Sequence, residues 1–383
     1  MLILLKVIDN MLNTILYKKI KLTDDVVKKF EVIRAFKYKQ SLTKNLAWSY
    51  YGELLLTSNE NDSLTIYSLS KGNSLKTLHS KNCGVDVIRF LNNSNDVIVC
   101  STRSSNLEHK QFLRFWDIKE NKYLKSLPQI GNICELNGIC VNQNKKLMLV
   151  NSDDGHVKLY YINCDTPLVL YKSDFMRPVS CFDNEGVIFA ASFGKQEIHF
   201  YDLLMYDSGE YNIFNLKSNM DKNEFITNLL FTPNNKFIII STNENKHFKI
   251  DSITGQYICS YNYPTYQEND NYFDINNNLS NEKNNISNST INFCNQSNHI
   301  KNNNLNYNFE YSENDFFLPT ITPDGQYIMC GWKDSGIHVW NENGNYITSL
   351  YGHEGPPKNV NFNPKCSILA SSCLNVALWQ PSL

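Results

Sequence analysis

Between Ile321 and Asn341 the chain reads ITPDGQYIMCGWKDSGIHVWN, and apolar and polar positions alternate there in blocks: turn, apolar run, turn, apolar run. Pro323-Asp324-Gly325 is a turn for definite reasons, since Pro presets φ, Asp bonds its own backbone and Gly accepts φ > 0. Gln326 to Gly331 is short and mostly apolar, which predicts a strand covered on both faces. Asp334-Ser335-Gly336 reverses the chain. Ile337-His338-Val339-Trp340 then leaves as a second strand, ending on an aromatic whose N–H needs an acceptor. The same order returns from Leu42 to Leu69, with a turn at Tyr51-Gly52-Glu53, the run Leu54-Leu55-Leu56, a turn at Asp62 and the run Leu64-Thr65-Ile66-Tyr67. Further copies end at Phe115-Trp116-Asp117, Leu159-Tyr160, Phe200-Tyr201-Asp202, Ile250-Asp251 and Leu378-Trp379. Anchored on Tyr67, Trp116, Tyr160, Tyr201, Ile250, Trp340 and Trp379, the spacings are 49, 44, 41, 49, 90 and 39.

A period of about 40 to 45 residues, with short strands and a Trp-Asp end, is the mark of a WD40 β-propeller. Only Trp116-Asp117 is a literal pair, so it is the common phase of the copies that carries the reading. Seven units predict an all-β, seven-bladed ring. The long spacing contains the Asn-rich tract 262–314, which has too few apolar residues to offset its ordering entropy and is expected to be a disordered loop between the fifth and sixth blades. The last unit, Asn359 to Trp379, has no room for a fourth strand, because only Gln380-Pro381-Ser382-Leu383 follow. The alternating run Phe30 to Phe36 is the spare strand, and its use would close the ring and remove an exposed edge. The expected organisation is an N-terminal extension over 1–20 and a propeller over 21–383, interrupted by 262–314. The extension opens Leu2-Ile3-Leu4-Leu5 but is broken by Lys6, Asp9 and Asn10; it is too short to span a membrane and reads as disordered or weakly helical.

Composition refines this picture. A formal net charge of −2 demands neither nucleic acid nor membrane phosphate as a partner. Aromatic residues make up 13%, enough for a large β core. The eleven cysteines form no C-x-x-C pair, and Cys100, Cys140, Cys181, Cys259 and Cys330 lie within apolar strand runs, which points to a reducing compartment and free thiols.

Candidate chemistry is sparse. His353, Ser371 and Ser372 invite a hydrolase reading, but a His, a Ser or Thr, a turn Asp and a Trp also form a buried hydrogen-bond network in blades of this kind. The turn position of that unit is Asn375 rather than an acid, and Asp62, Asp154 and Asp334 occupy the matching turns elsewhere as structural residues. No G-x-S-x-G, P-loop, H-E-x-x-H or paired-cysteine zinc spacing occurs, so neither enzyme activity nor a cofactor or metal is expected. Binding remains. On the face carrying the inter-blade connections and the turns between second and third strands fall Lys81, Arg103, Arg177, Trp332, Lys333 and His353, with Trp332 as the candidate anchor. Lys and Arg around one aromatic suit an acidic or phosphorylated peptide.

Several segments resemble the WD-repeat protein 82 family more specifically than propellers in general. They are Lys21-Leu22-Thr23-Asp24, His79 through Phe90 with its Gly84-Val85-Asp86 and Ile88-Arg89-Phe90, and Arg177-Pro178-Val179 through Phe182-Asp183-Asn184-Glu185-Gly186 to Ala191. Phe237 to Thr242, Thr322 to Cys330, Gly336 to Asn341, Phe362 to Lys365 and Ala377 to Pro381 also match. The third unit departs, with Tyr160-Tyr161 in place of Trp-Asp, as do the first 20 residues and the Asn-rich tract. The resemblance implies a non-catalytic nuclear scaffold in a COMPASS-type histone methyltransferase complex, with SET-domain methyltransferase complex subunits as partners and recruitment through phosphorylated RNA polymerase II C-terminal repeats. The alternative it implies is a subunit of a nuclear protein phosphatase, partnered by its regulatory subunit, or of RNA 3′-end cleavage, polyadenylation and termination machinery. Neither implies direct sequence-specific nucleic-acid binding or a membrane.

Overall fold

The computed structural model describes residues 3–9, 14–37, 41–80, 83–91, 96–101, 112–128, 133, 138–173, 177–193, 196–264 and 316–382, with the backbone alone for 3–19. Seven four-stranded antiparallel sheets follow one another along the chain. They form blade 1 (43–79), blade 2 (88–128), blade 3 (139–172), blade 4 (179–215), blade 5 (226–261), blade 6 (320–351) and blade 7 (359–381 with Phe30–Lys37). Within each blade the strands are called a to d, in the order in which they lie across the sheet. The a strands of most neighbouring blades touch, which places strand a at the axis and strand d at the rim.

The core is divided. Seven hydrophobic clusters are present, and each lies between two adjacent blades. Every inner strand is therefore covered on both faces; Ser63–Ser68 of blade 1 is buried at every position. That explains apolar runs without a polar face. The anchors Tyr67, Trp116, Tyr160, Tyr201, Ile250, Trp340 and Trp379 all lie on c strands and are all buried.

Turns repeat as a device. In the a–b turns, Gly52, Lys146, Gly186, Asn235 and Gly325 all have positive φ and donate their N–H to the carbonyl three residues back. Gly52 also marks the closure of the ring: a Cβ there would meet Asn363 of blade 7 at 2.2 Å, and the Asn363 amide donates to the Gly52 carbonyl at 2.8 Å. At the rim, lysines join one blade to the next. Lys76 donates to the carbonyls of Ile118 and Lys119, and Lys125 to those of Ile162 and Cys164, so c–d turn carbonyls gain charged donors.

The N-terminal strand closes blade 7, pairing Phe30 with Pro381 through Lys37 with Asn375. Ahead of it, Thr23 caps a one-turn helix, Asp24–Val27, and Leu22, Val27 and Phe30 enter the core between blades 6 and 7. Two expectations change. In place of a weak helix, the described part of the first 20 residues is strand: Ile3–Asp9 pairs antiparallel with Thr14–Ile20 in a two-stranded sheet of its own. Nor does the Asn-rich tract leave the fold at 262, because Asn262 and Tyr263 are built into blades 5 and 6. Beyond Pro264 the tract, and with it the expected disordered loop, lies outside the described residues.

Candidate functional site: the blade 6 turn and its face

The antiparallel order of strands puts all b–c turns and all connections between blades at one end of the propeller. Trp332 and Lys333 lie in the b–c turn of blade 6, between Tyr327–Gly331 and Gly336–Asn341. Gly331 lets that turn approach the next connection closely, since a Cβ there would sit 1.9 Å from the Pro357 carbonyl oxygen. Ser335 reverses the chain at φ 67°. Trp332 is half-buried rather than a free-standing anchor. Its ring stacks on Tyr263, with centroids 3.8 Å apart and planes 20° from parallel, and Phe317 lies against it at 5.5 Å. The Lys333 ammonium stands 6.0 Å from the ring centroid, at the outer reach of a cation–π contact.

Tyr263 is the residue the sequence reading missed. Its hydroxyl meets His247 Nε2 at 3.0 Å, and His247 Nδ1 meets Ser241 Oγ at 2.9 Å. Next to it the Trp340 Nε1–H donates to the Asn262 carbonyl at 2.9 Å. Blade 6 carries Cys330 where blade 7 has Ser371, and a thiol is a weak acceptor, so the indole takes a backbone oxygen from outside its blade. The only trace of this in the sequence is the aromatics on both margins of the tract, Tyr261 and Tyr263 before it and Phe316 and Phe317 after it.

Asp334 holds the turn. Its carboxylate accepts from Gly336 N–H at 2.9 Å, from Tyr351 hydroxyl at 3.2 Å and from His338 Nε2. Burial raises its pKa, but these bonds, led by the one to His338, outweigh that and hold it below the usual value. Asp154 in the blade 3 turn pairs with His156 Nδ1 at 2.9 Å, and Asp62 in the blade 1 turn stands at φ 58° and accepts Ser80 N–H on its carbonyl.

His353 is buried rather than exposed on this face. It is 5% exposed, with Nε2 on Ser371 Oγ at 2.6 Å and Nδ1 on Cys373 Sγ at 3.2 Å, while Ser371 Oγ also accepts the Trp379 indole N–H at 2.6 Å. The Ser–His pair is thus sealed, and a sulfur faces the ring nitrogen where a hydrolase would place a carboxylate. Arg177 is exposed in the connection between blades 3 and 4, in a left-handed conformation (φ 67°), with blades 4 and 5 intervening before Trp332. Lys81 and Arg103 lie outside the described residues. Of the four described face candidates, only Trp332 and Lys333 stand together.

Two buried histidines make a pH prediction. Burial depresses His247 to about 3 and His353 to about 4, against an ordinary value near 6.5. Below pH 6.5 the unfolded chain takes up protons that the folded chain refuses, so stability falls with falling pH between about 6.5 and 4. Each histidine is expected to cost about 2 kcal/mol at pH 5 relative to pH 8 by that linkage. Urea denaturation of the wild type and His247→Gln across this range checks it; an equal slope for the two would remove His247 from the account.

No protein-family model matches the chain. WD repeat-containing protein 82 of Drosophila melanogaster is 30% identical over 370 residues, covering 95% of this chain and 98% of the relative. The chain belongs to the WD repeat-containing protein 82 family. Also similar are COMPASS component SWD2 of Saccharomyces cerevisiae, 22% identical over 90% of this chain and 93% of the relative, and Set1 complex component swd2 of Schizosaccharomyces pombe, 28% identical over 55% and 57%. The family resemblance drawn from the sequence therefore stands, together with its seven blades.

Proposed function

We propose that this member of the WD repeat-containing protein 82 family is a non-catalytic scaffold subunit of a nuclear COMPASS-type histone methyltransferase complex, and that the face bearing Trp332 links it to phosphorylated RNA polymerase II C-terminal repeats. The observation that carries the first part is likeness, over nine-tenths of the chain, to a protein named as a COMPASS component. A Ser–His pair closed to solvent fits a subunit without chemistry of its own. For the second part, Trp332 offers a pre-stacked aromatic edge beside the exposed Lys333, and Arg177 adds a cation on the same face.

Purifying the tagged protein from nuclear extract at physiological salt is the first test. Co-elution of a SET-domain methyltransferase supports the reading. A phosphatase subunit or 3′-end cleavage factors without methyltransferase would replace it with the termination alternative. For the face, Arg177→Glu and Lys333→Glu are each expected to weaken binding of a phosphorylated C-terminal repeat peptide about ten-fold, as for loss of one charge-assisted bond. An unphosphorylated peptide serves as reference in fluorescence anisotropy, and unchanged affinity in both variants would move the peptide off this face.

A further inference from the structure

The opposite end of the blades carries a second surface. Among the described residues, 17 large apolar side chains stand exposed, and eight of them belong to blades 4 and 5. Two dominate: Leu204 is 87% exposed and Ile253 is 80% exposed. They occupy the same position in the c–d turns of neighbouring blades, two residues after an aspartate. Asp202 accepts the Leu204 N–H at 2.8 Å, and Asp251 accepts those of Ile253 and Thr254 at 2.9 and 2.8 Å. Each turn is thus fixed by its own carboxylate and holds the apolar side chain out in water.

The two turns form one surface. The blade 5 turn leans on the outer strand of blade 4, because a Cβ on Gly255 would lie 2.9 Å from the Phe214 ring. The Asn184 amide of blade 4 reaches across to the Thr232 carbonyl at 2.7 Å and to Asn235 at 2.8 Å. Met205, Tyr211 and Val187 extend the exposed area beside Leu204. A scattered surface leucine needs no account, but Val187, Leu204, Met205, Tyr211 and Ile253 together at the same end of two adjoining blades do.

Charge selects the occupant. The turns around Leu204 and Ile253 carry Glu185, Asp202, Asp207, Glu210 and Asp251 against Lys236, with Lys145 of blade 3 packed beside Gly186, so acids outnumber cations. The Tyr171 phenol, pushed up to about 12 mainly by burial, is raised further by Asp207 and Glu210. A second copy would bring like charge against like, and anionic lipid would be repelled. We propose that this end of blades 4 and 5 docks a basic, amphipathic segment of a partner protein, with apolar side chains over Leu204 and Ile253 and Lys or Arg on the acidic rim. This inference concerns the end of the ring away from Trp332 and does not rest on the complex named above.

The test places a photo-cross-linking amino acid at position 253 of the full chain in cells and maps the cross-linked peptides by mass spectrometry. The segment found is then synthesised and titrated against wild type and the Leu204→Asp/Ile253→Asp variant. The expected result is one segment of net positive charge, bound about ten-fold more weakly by the variant at an unchanged melting temperature, and more weakly by wild type as salt rises. No cross-link, cross-links between two copies, an acidic or neutral segment, or equal affinity for the variant would overturn the proposal.

Discussion

Deletion of residues 1–41 is expected to leave a chain with no cooperatively folded monomer. The deletion removes strand d of blade 7 and exposes the backbone edge of Asn375–Pro381, an aggregation template that the closed ring lacks. It also takes Leu22, Val27 and Phe30 out of the core between blades 6 and 7, including the contact of Phe30 with Phe362 at 6.2 Å between ring centroids. Loss of one such side chain costs about 2 to 5 kcal/mol. Together they come to about 6 to 15 kcal/mol, comparable to the roughly 5 to 15 kcal/mol that holds a typical domain folded. Near-UV circular dichroism, urea titration and size-exclusion chromatography read the outcome. Deletion of 1–19 alone is the reference; it keeps Leu22 and the closing strand and should leave a cooperative transition. A sharp, wild-type-like transition in the longer deletion would show that blade 7 closes without its borrowed strand.

Trp379→Ala is expected to cost about 3 to 5 kcal/mol, the range for a large buried aromatic. Its ring is among the largest fully buried side chains and lies in the same inter-blade core. The change also deprives Ser371 Oγ of its indole donor, beside a His353 that cannot turn to water. Trp379→Phe separates the two causes: it refills most of the volume but not the N–H, and should cost about 1 to 3 kcal/mol. Urea denaturation gives both values. A cost under 1 kcal/mol for Trp379→Ala would mean that the cavity collapses and the network is not holding the blade.

Much of the molecule was legible because a propeller is local. Strands pair in chain order within each blade, so turn, apolar run and anchor repeat in phase and can be counted before any long-range contact is known. The same count exposed a blade one strand short and a spare strand at Phe30, and the fold uses it there. The site was less legible. In the sequence Trp332 stands out as an unusual turn residue and the repeat places His353 on the same face, yet in the fold the first is stacked on Tyr263 and the second is sealed behind Ser371.

The sequence by itself determined the number of blades, the strand order and the buried anchors, because those follow from alternation and turn chemistry within about 45 residues, and it determined the closure because the last blade is one strand short and the run at Phe30 is one to spare. Only the tertiary structure decided which polar groups satisfy one another between blades and which apolar residues stay wet. Trp340 finds its acceptor at Asn262, 78 positions away in the chain, since its own blade offers a thiol there. Leu204 and Ile253 resemble any apolar turn residue in the sequence, and their exposure depends on what the next blade places, or fails to place, above them. Burial is a property of neighbours in space. A strand's pattern records which of its faces is apolar, and the adjoining blade settles what meets that face.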